Sequence, residues 1–147
     1  MNLKAAIKTC MDERVTVCAR NDSLKSVAEK IVVNRAAACV VKDQGDVVGI
    51  ITDTDVVDHI ARGIDLDRAK AGELMTPGEV ISKGLGPTFP FIQLSEDETI
   101  ENALKVLAKG GIHHILIRGA GGKTVGIVSA VDLIRGALEL YTELIIL

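Results

Sequence analysis

The chain has 147 residues, 48% of them hydrophobic and 25% charged, with a formal net charge of -3. Aromatic residues amount to 2% with no Trp, which requires an aliphatic core and argues against base stacking on aromatic rings as a binding mode. The negative balance gives no basic footprint for a phosphodiester backbone, and no apolar run approaches the roughly 18–20 residues needed to cross a bilayer.

Residues 1–11, with Lys4 and Lys8, lack a signal-peptide core. Cys10, Cys18 and Cys39 are odd in number and without CxxC spacing, so free, buried thiols in a reducing cytoplasm are expected. A β-prone run at 15–19 opens the first unit. Ser23 is placed to cap a helix over 24–34, where Leu24, Val27, Ala28 and Ile31 recur at helical spacing. An apolar run at 36–41 suits a buried strand. Asp43-Gln44-Gly45-Asp46 supplies a hairpin turn, 47–52 the returning strand and 53–62 a second helix that stops at Gly63.

After a charged linker from Asp65 to Gly78, which carries Asp67, Arg68 and Leu74-Met75-Thr76-Pro77, the same order returns. It runs as a helix at 98–109, a Gly110-Gly111 stop, a strand at 112–118, a turn at 119–123, a strand at 124–128 and a helix at 131–140. Asp22-Ser23-Leu24 aligns with Glu98-Thr99-Ile100, and Val40-Val41 with Leu116-Ile117, at one constant offset. A single extra residue, Gly122, then brings Val48 to Asp55 onto Val125 to Asp132. This is a duplication. Neither repeat, of roughly 50–60 residues, buries much surface alone, so we expect two βαββα units, 1–68 and 69–147, packed with pseudo-two-fold symmetry in an α/β (α+β) fold. Residues 78–90 are additional in the second repeat. They read either as a surface loop or as a flap that brings Phe89 and Phe91 to a ligand. The Leu- and Ile-rich end at 138–147, with Tyr141 and Glu143, is expected to pack on the body or on a second subunit.

Gly49–Asp55 and Gly126–Asp132 carry the chemistry of interest. Thr52 and Ser129 stand where a strand gives way to a helix whose first N–H groups lack intrahelical partners, a setting that suits a phosphate. Asp55 and Asp132, one turn further on, are placed to accept from both hydroxyls of a ribose. Gly49 and Gly126 leave room for a base or another backbone, and Ile50, Ile51, Ile127 and Val128 offer apolar surface to an adenine ring. The same [ST]-x-x-D pattern is also a helix capping box, and both readings stand. Thr54 and Val131 precede the two aspartates, and Asp53 adds negative charge, which together oppose a polyphosphate. Basic groups near the second strands are Arg35, Lys109, His113, His114 and Arg118. Of the two histidines, alternation lets one face a cleft. His59, four residues after Asp55, reads as a solvated partner of that carboxylate rather than a metal ligand. Cys39 reads as core, and Arg135 as a surface or interface side chain.

Met75-Thr76-Pro77, Asn21-Asp22-Ser23-Leu24, Ile112-His113-His114-Ile115-Leu116-Ile117 and the two Gly-to-Asp turns together resemble a tandem pair of CBS (cystathionine beta-synthase) domains, a Bateman module, over about residues 7–138. The resemblance implies a regulatory, non-catalytic module with clefts between the repeats that bind AMP, ADP, ATP or S-adenosylmethionine. It also implies a homodimer acting on an unidentified regulated protein, with no required cofactor, no metal and no contact with nucleic acid or membrane. The expected ligand-binding residues are Gly49, Ile50, Ile51, Thr52, Asp53 and Asp55 in the first repeat. In the second they are His114, Gly126, Ile127, Val128, Ser129 and Asp132. The alternative is a ligand-free dimerisation or interaction module. No nucleophile–base pair, metal set or long phosphate loop is present to suggest an enzyme.

Overall fold

Residues 1–77, 92–110 and 113–140 are described by the computed structural model. The 78–90 insertion with Phe89, as well as Phe91, Gly111, Ile112 and the 141–147 tail, lie outside them.

The first repeat begins with β1 (Val17–Ala19) and α1 (Leu24–Asn34), followed by the hairpin β2 (Ala38–Asp43) and β3 (Asp46–Thr52) and then α2 (Asp53–Ala61). Ser23 Oγ accepts from the Ser26 N–H at 3.1 Å, which satisfies one of the orphan donors of α1. Gln44 and Gly45 both take positive φ at the hairpin tip, the backbone a two-residue turn demands. The charged linker is structured. It forms a short α3 (Ala71–Leu74) and an edge strand β4 (Thr76–Pro77). The sheet order is β1-β2-β3-β4, with β1 parallel to β2 and the other pairs antiparallel. Leu24, Val27 and Ile31 of α1 pack with Val56 of α2 on Cys18, Cys39, Val41 and Ile51 from one face of the sheet. Each such aliphatic side chain contributes about 1.5–3 kcal/mol on full burial.

The second repeat comprises β5 (Ile92–Ser95), α4 (Ile100–Gly110), β6 (His114–Arg118), β7 (Thr124–Ser129) and α5 (Ala130–Leu138). Thr99 Oγ1 accepts from the Asn102 N–H at 3.1 Å and so repeats the cap of Ser23. The sheet order is β5-β6-β7, again parallel and then antiparallel. Ile100, Ala103 and Leu107 of α4 and Leu133 and Ala137 of α5 cover Ile115, Ile117 and Val128. Ile7, fully buried, completes this cluster from the opposite end of the sequence.

The N-terminal segment therefore belongs with the second repeat. The compact units are Val15–Leu85, and Met1–Arg14 together with Gly86–Leu147, whereas the sequence repeats divide at 68/69. The physical cause is backbone pairing. Asp12 and Ile127 exchange N–H···O=C bonds of 2.9 Å in both directions, and Ile100 N–H donates to Ala5 C=O at 2.9 Å. In the first repeat the linker makes the corresponding bonds: Thr76 pairs with Ile50, and Leu24 N–H donates to Ala69 C=O at 2.9 Å. Each repeat thus takes its edge strand from the segment that precedes the other repeat.

Candidate functional site

Strand β3 delivers Thr52, and β7 delivers Ser129, to the N-cap of the following helix in extended backbone. At the first turn Thr52 N–H donates to Asp55 Oδ2 at 2.9 Å, and Asp55 N–H donates to Thr52 Oγ1 at 3.1 Å. At the second, Ser129 N–H donates to Asp132 Oδ2 at 2.9 Å, and Asp132 N–H donates to Ser129 Oγ at 3.3 Å. Both are complete capping boxes. The local sequence suffices to form them, because each box satisfies two backbone donors that the helix start would otherwise leave open.

The side chains around the two boxes differ. Thr54 Oγ1 lies 3.0 Å from Thr52 Oγ1, and the Asp53 carboxylate accepts from Thr54 N–H at 2.7 Å. In the second repeat the Ser129 hydroxyl also donates to Asp132 Oδ2 at 3.0 Å, and Arg135 Nη1 donates to Asp132 Oδ1 at 2.9 Å. Arg135, expected at the surface or an interface, is 40% exposed and is also the charge partner of Asp132. The signal was present in the sequence as an Asp followed three residues later by Arg, a spacing that meets on one helix face. Asp58 occupies the corresponding place in the first repeat and pairs with Arg62.

Pleat alternation divides the apolar candidates. Ile51 and Val128 point into the helix-covered cores. Ile50 and Ile127 lie on the opposite sheet face, where Ile50 is buried and Ile127 half-buried. His114 is also on that face. It is buried and pairs across the ladder with Ser129, while His113 is exposed. Arg35, Lys109 and Arg118 are exposed. His59 makes no ion pair with Asp55 among the described residues, and its Nδ1 is buried without a hydrogen-bond partner there. Among the described residues no group of three or more His, Cys, Asp or Glu is arranged to hold a metal, and no helix is long and apolar enough to cross a membrane.

Gly49 and Gly126 are closely approached by backbone. A Cβ on Gly49 would meet the Met75 thioether and the Thr76 carbonyl oxygen, the latter at 2.8 Å. A Cβ on Gly126 would meet Met11 Sδ at 2.7 Å and the Asp12 carbonyl oxygen at 3.0 Å. The edge strands occupy this space, and the two methionines are site neighbours that the turn motif alone did not reveal. An open cavity of about 550 Å³ lies beside Met11, lined also by Lys8, Glu13, Glu96 and Val125. Its lining includes neither Ser129 nor Asp132, although Met11 also packs on Gly126.

The three thiols are not alike: Cys10 and Cys39 are shifted upward, whereas the hydrogen bond with Cys39 lowers Cys18. Burial, with the nearby Asp132 carboxylate, pushes the Cys10 thiol up to about 11. A hydrogen bond with Cys18 and burial raise Cys39. Cys39 lies within the apolar core, as its sequence context suggested.

Comparison with known proteins gives a consistent picture. The sequence model of the CBS domain matches residues 6–62 and 71–139. An uncharacterized 17.7 kDa protein of Acidianus ambivalens is 33% identical over 109 residues, covering 74% of this chain and 58% of that protein. A CBS domain protein from Pyrobaculum aerophilum complexed with AMP has a TM-score of 0.74 at 17% identity, covering 91% of this chain and 95% of that one. A CBS domain pair in complex with 5′-methylthioadenosine and S-adenosyl-L-methionine has a TM-score of 0.71 at 21% identity, covering 88% of this chain and 93% of that one. At these identities the two structures establish a shared fold. The chain spans 58% and 26% of the lengths of the curated relatives it matches.

Proposed function

This chain belongs to the CBS-domain family, and from that premise we propose that it is a cytoplasmic regulatory module, not an enzyme. In this reading it senses an adenosine-containing ligand, AMP-like or S-adenosylmethionine, and modulates a partner protein. The observation that carries the reading is the duplicated Gly-to-Asp turn, which in both repeats holds a hydroxyl and a carboxylate together at a strand-to-helix junction. Two proteins of the same fold were solved with AMP, or with 5′-methylthioadenosine and S-adenosyl-L-methionine, which supports the ligand class. In the proposed complex the hydroxyl of an occupied turn meets phosphate or ribose oxygens, and its aspartate holds the ribose hydroxyls through charge-assisted hydrogen bonds. Asp53, beside the first cap, disfavours a polyphosphate. Binding regulates only through unequal affinity for two arrangements of the protein.

A second reading, a ligand-free dimerisation module, has two observations behind it. Both turns already form complete capping boxes. The outer faces of α2 and α5 also leave Val57 66% and Val131 62% exposed, with Ile60 and Ile134 beside them. Calorimetry of the ligand-stripped protein with AMP, ATP, NAD and S-adenosylmethionine separates the two. Submillimolar binding of AMP or S-adenosylmethionine, weaker for ATP, is the expected result. Absence of submillimolar binding for all four leaves the interaction module.

A further inference from the structure

We infer that the two turns are not equivalent sites: this chain takes one adenosyl ligand, at the Thr52–Asp55 turn, and Arg135 closes the Ser129–Asp132 turn. The inference rests on the sensor reading above and adds site, stoichiometry and ligand charge to it.

A carboxylate that grips both hydroxyls of a ribose must present acceptor sites that the protein has not already used. Asp132 accepts from three groups: Ser129 N–H and Ser129 Oγ–H on Oδ2, and Arg135 Nη1 on Oδ1. The guanidinium bond is charge-assisted and short at 2.9 Å, and the Asp132 side chain is only 19% exposed. A ribose at this turn would have to displace Arg135 from a half-buried ion pair.

Asp55 is engaged differently. Its Oδ2 accepts from Thr52 N–H, and its Oδ1 has no partner among the described residues. The residue one turn on is Asp58, not Arg, and Asp58 is itself held by Arg62 at 3.1 Å. The first turn therefore keeps a carboxylate oxygen available and has beside it the Asp53 carboxylate, which makes no ion pair among the described residues. That field repels a 5′-phosphate and accepts a neutral or cationic 5′ group, as in a thioether or sulfonium nucleoside. A one-residue charge reversal between duplicated helices, Asp58 against Arg135, is what makes the turns unequal.

The test is calorimetry on the intact chain with 5′-methylthioadenosine, S-adenosylmethionine and AMP. Backbone amide shifts recorded on the wild type locate the ligand without any substitution. The expected result is one equivalent of the two non-phosphorylated ligands, tighter than AMP, with shifts centred on residues 52–55. Asp55→Asn should weaken binding about 10- to 100-fold, the loss of a charged hydrogen-bond acceptor. Asp132→Asn should leave the affinity within about threefold, and Arg135→Ala should raise the stoichiometry towards two. Two equivalents on the wild type overturn the inference while the sensor reading stands. So does AMP binding centred on residues 129–132 and lost in Arg135→Ala. No binding of any of the three overturns both.

Discussion

Met11 lies on Gly126 as Met75 lies on Gly49, so two methionines that each precede one repeat in the sequence clamp the glycine of the other occurrence of the turn. The contact is backbone as well as side chain: Asp12 pairs with Ile127, and Thr76 with Ile50.

This packing makes the glycines intolerant of a methyl group. Gly49→Ala should cost about 1–3 kcal/mol, the range for overpacking a filled site. Gly126→Ala should cost less, because its nearest backbone oxygen is at 3.0 Å rather than 2.8 Å and the Met11 thioether can swing aside. Chemical denaturation midpoints check the order. Adding Met11→Ala to Gly126→Ala should recover part of the loss.

Ile7 tests the pairing of the N-terminal segment with the second repeat. Its side chain is fully buried among Ile100, Leu133 and Ala137. Ile7→Ala should cost about 2–5 kcal/mol. Hydrogen exchange should show the lost protection in α4 and α5, not in α1 and α2. Equal loss in both units would contradict the assignment of the segment.

The caps should be unequal in stability as well. Thr52→Ala and Ser129→Ala should each cost about 0.5–2 kcal/mol. Asp132→Asn should lower the melting temperature more than Asp55→Asn, since it also removes the acceptor of Arg135. Thermal melts of the four variants decide this.

Acid should loosen the N-terminal segment first. Asp12 lies in a partly desolvated position that would raise its pKa, yet bonds from the Arg14 backbone and guanidinium bring it below the usual value. The hydrogen bond from Lys4 does the same to Glu101. A carboxyl with a depressed folded pKa stabilises above its unfolded value and loses that contribution as pH falls through the folded one. The Lys4–Glu101 tie between the segment and α4 is therefore complete at neutral pH and, with the local Asp12–Arg14 pair, fades below about pH 4. Hydrogen exchange at the Asp12 and Ile127 amides, followed from pH 6 to pH 3 and corrected for intrinsic rates, should show protection falling there before it falls in α1.

Cys10 should resist alkylation. With its thiol pushed up to about 11 it holds little thiolate at neutral pH, so iodoacetamide should modify it far more slowly than a free thiol. Rapid labelling of the native protein at pH 7 would contradict the burial that causes the shift.

Much of the fold was legible because its determinants are short-range. Ser23 and the Leu24–Val27–Ile31 spacing define α1, Gln44-Gly45 defines the hairpin, and Thr52 to Asp55 form their box with neighbours three residues away. The linker was not legible as structure. Leu66 and Ala69 read as polar-flanked single apolar residues, yet they pack on the first core. Strand β5 was hidden for a related reason, since four residues, Ile92 to Ser95, carry too little pattern to declare a strand that a parallel partner creates.

The sequence by itself determined the duplication, the order of helices and strands, and the twin turns, because caps, turns and periodicity act over a few residues. The tertiary structure alone decided which segment completes which repeat. Edge pairing joins backbone groups that are alike at every position, so the partner of Ile127 is chosen by long-range closure of the chain and not by local pattern. That Asp132 is held by Arg135 while Asp55 keeps an oxygen open is by contrast a local difference, Arg against Asp three residues further on, which helical spacing itself brings to one face.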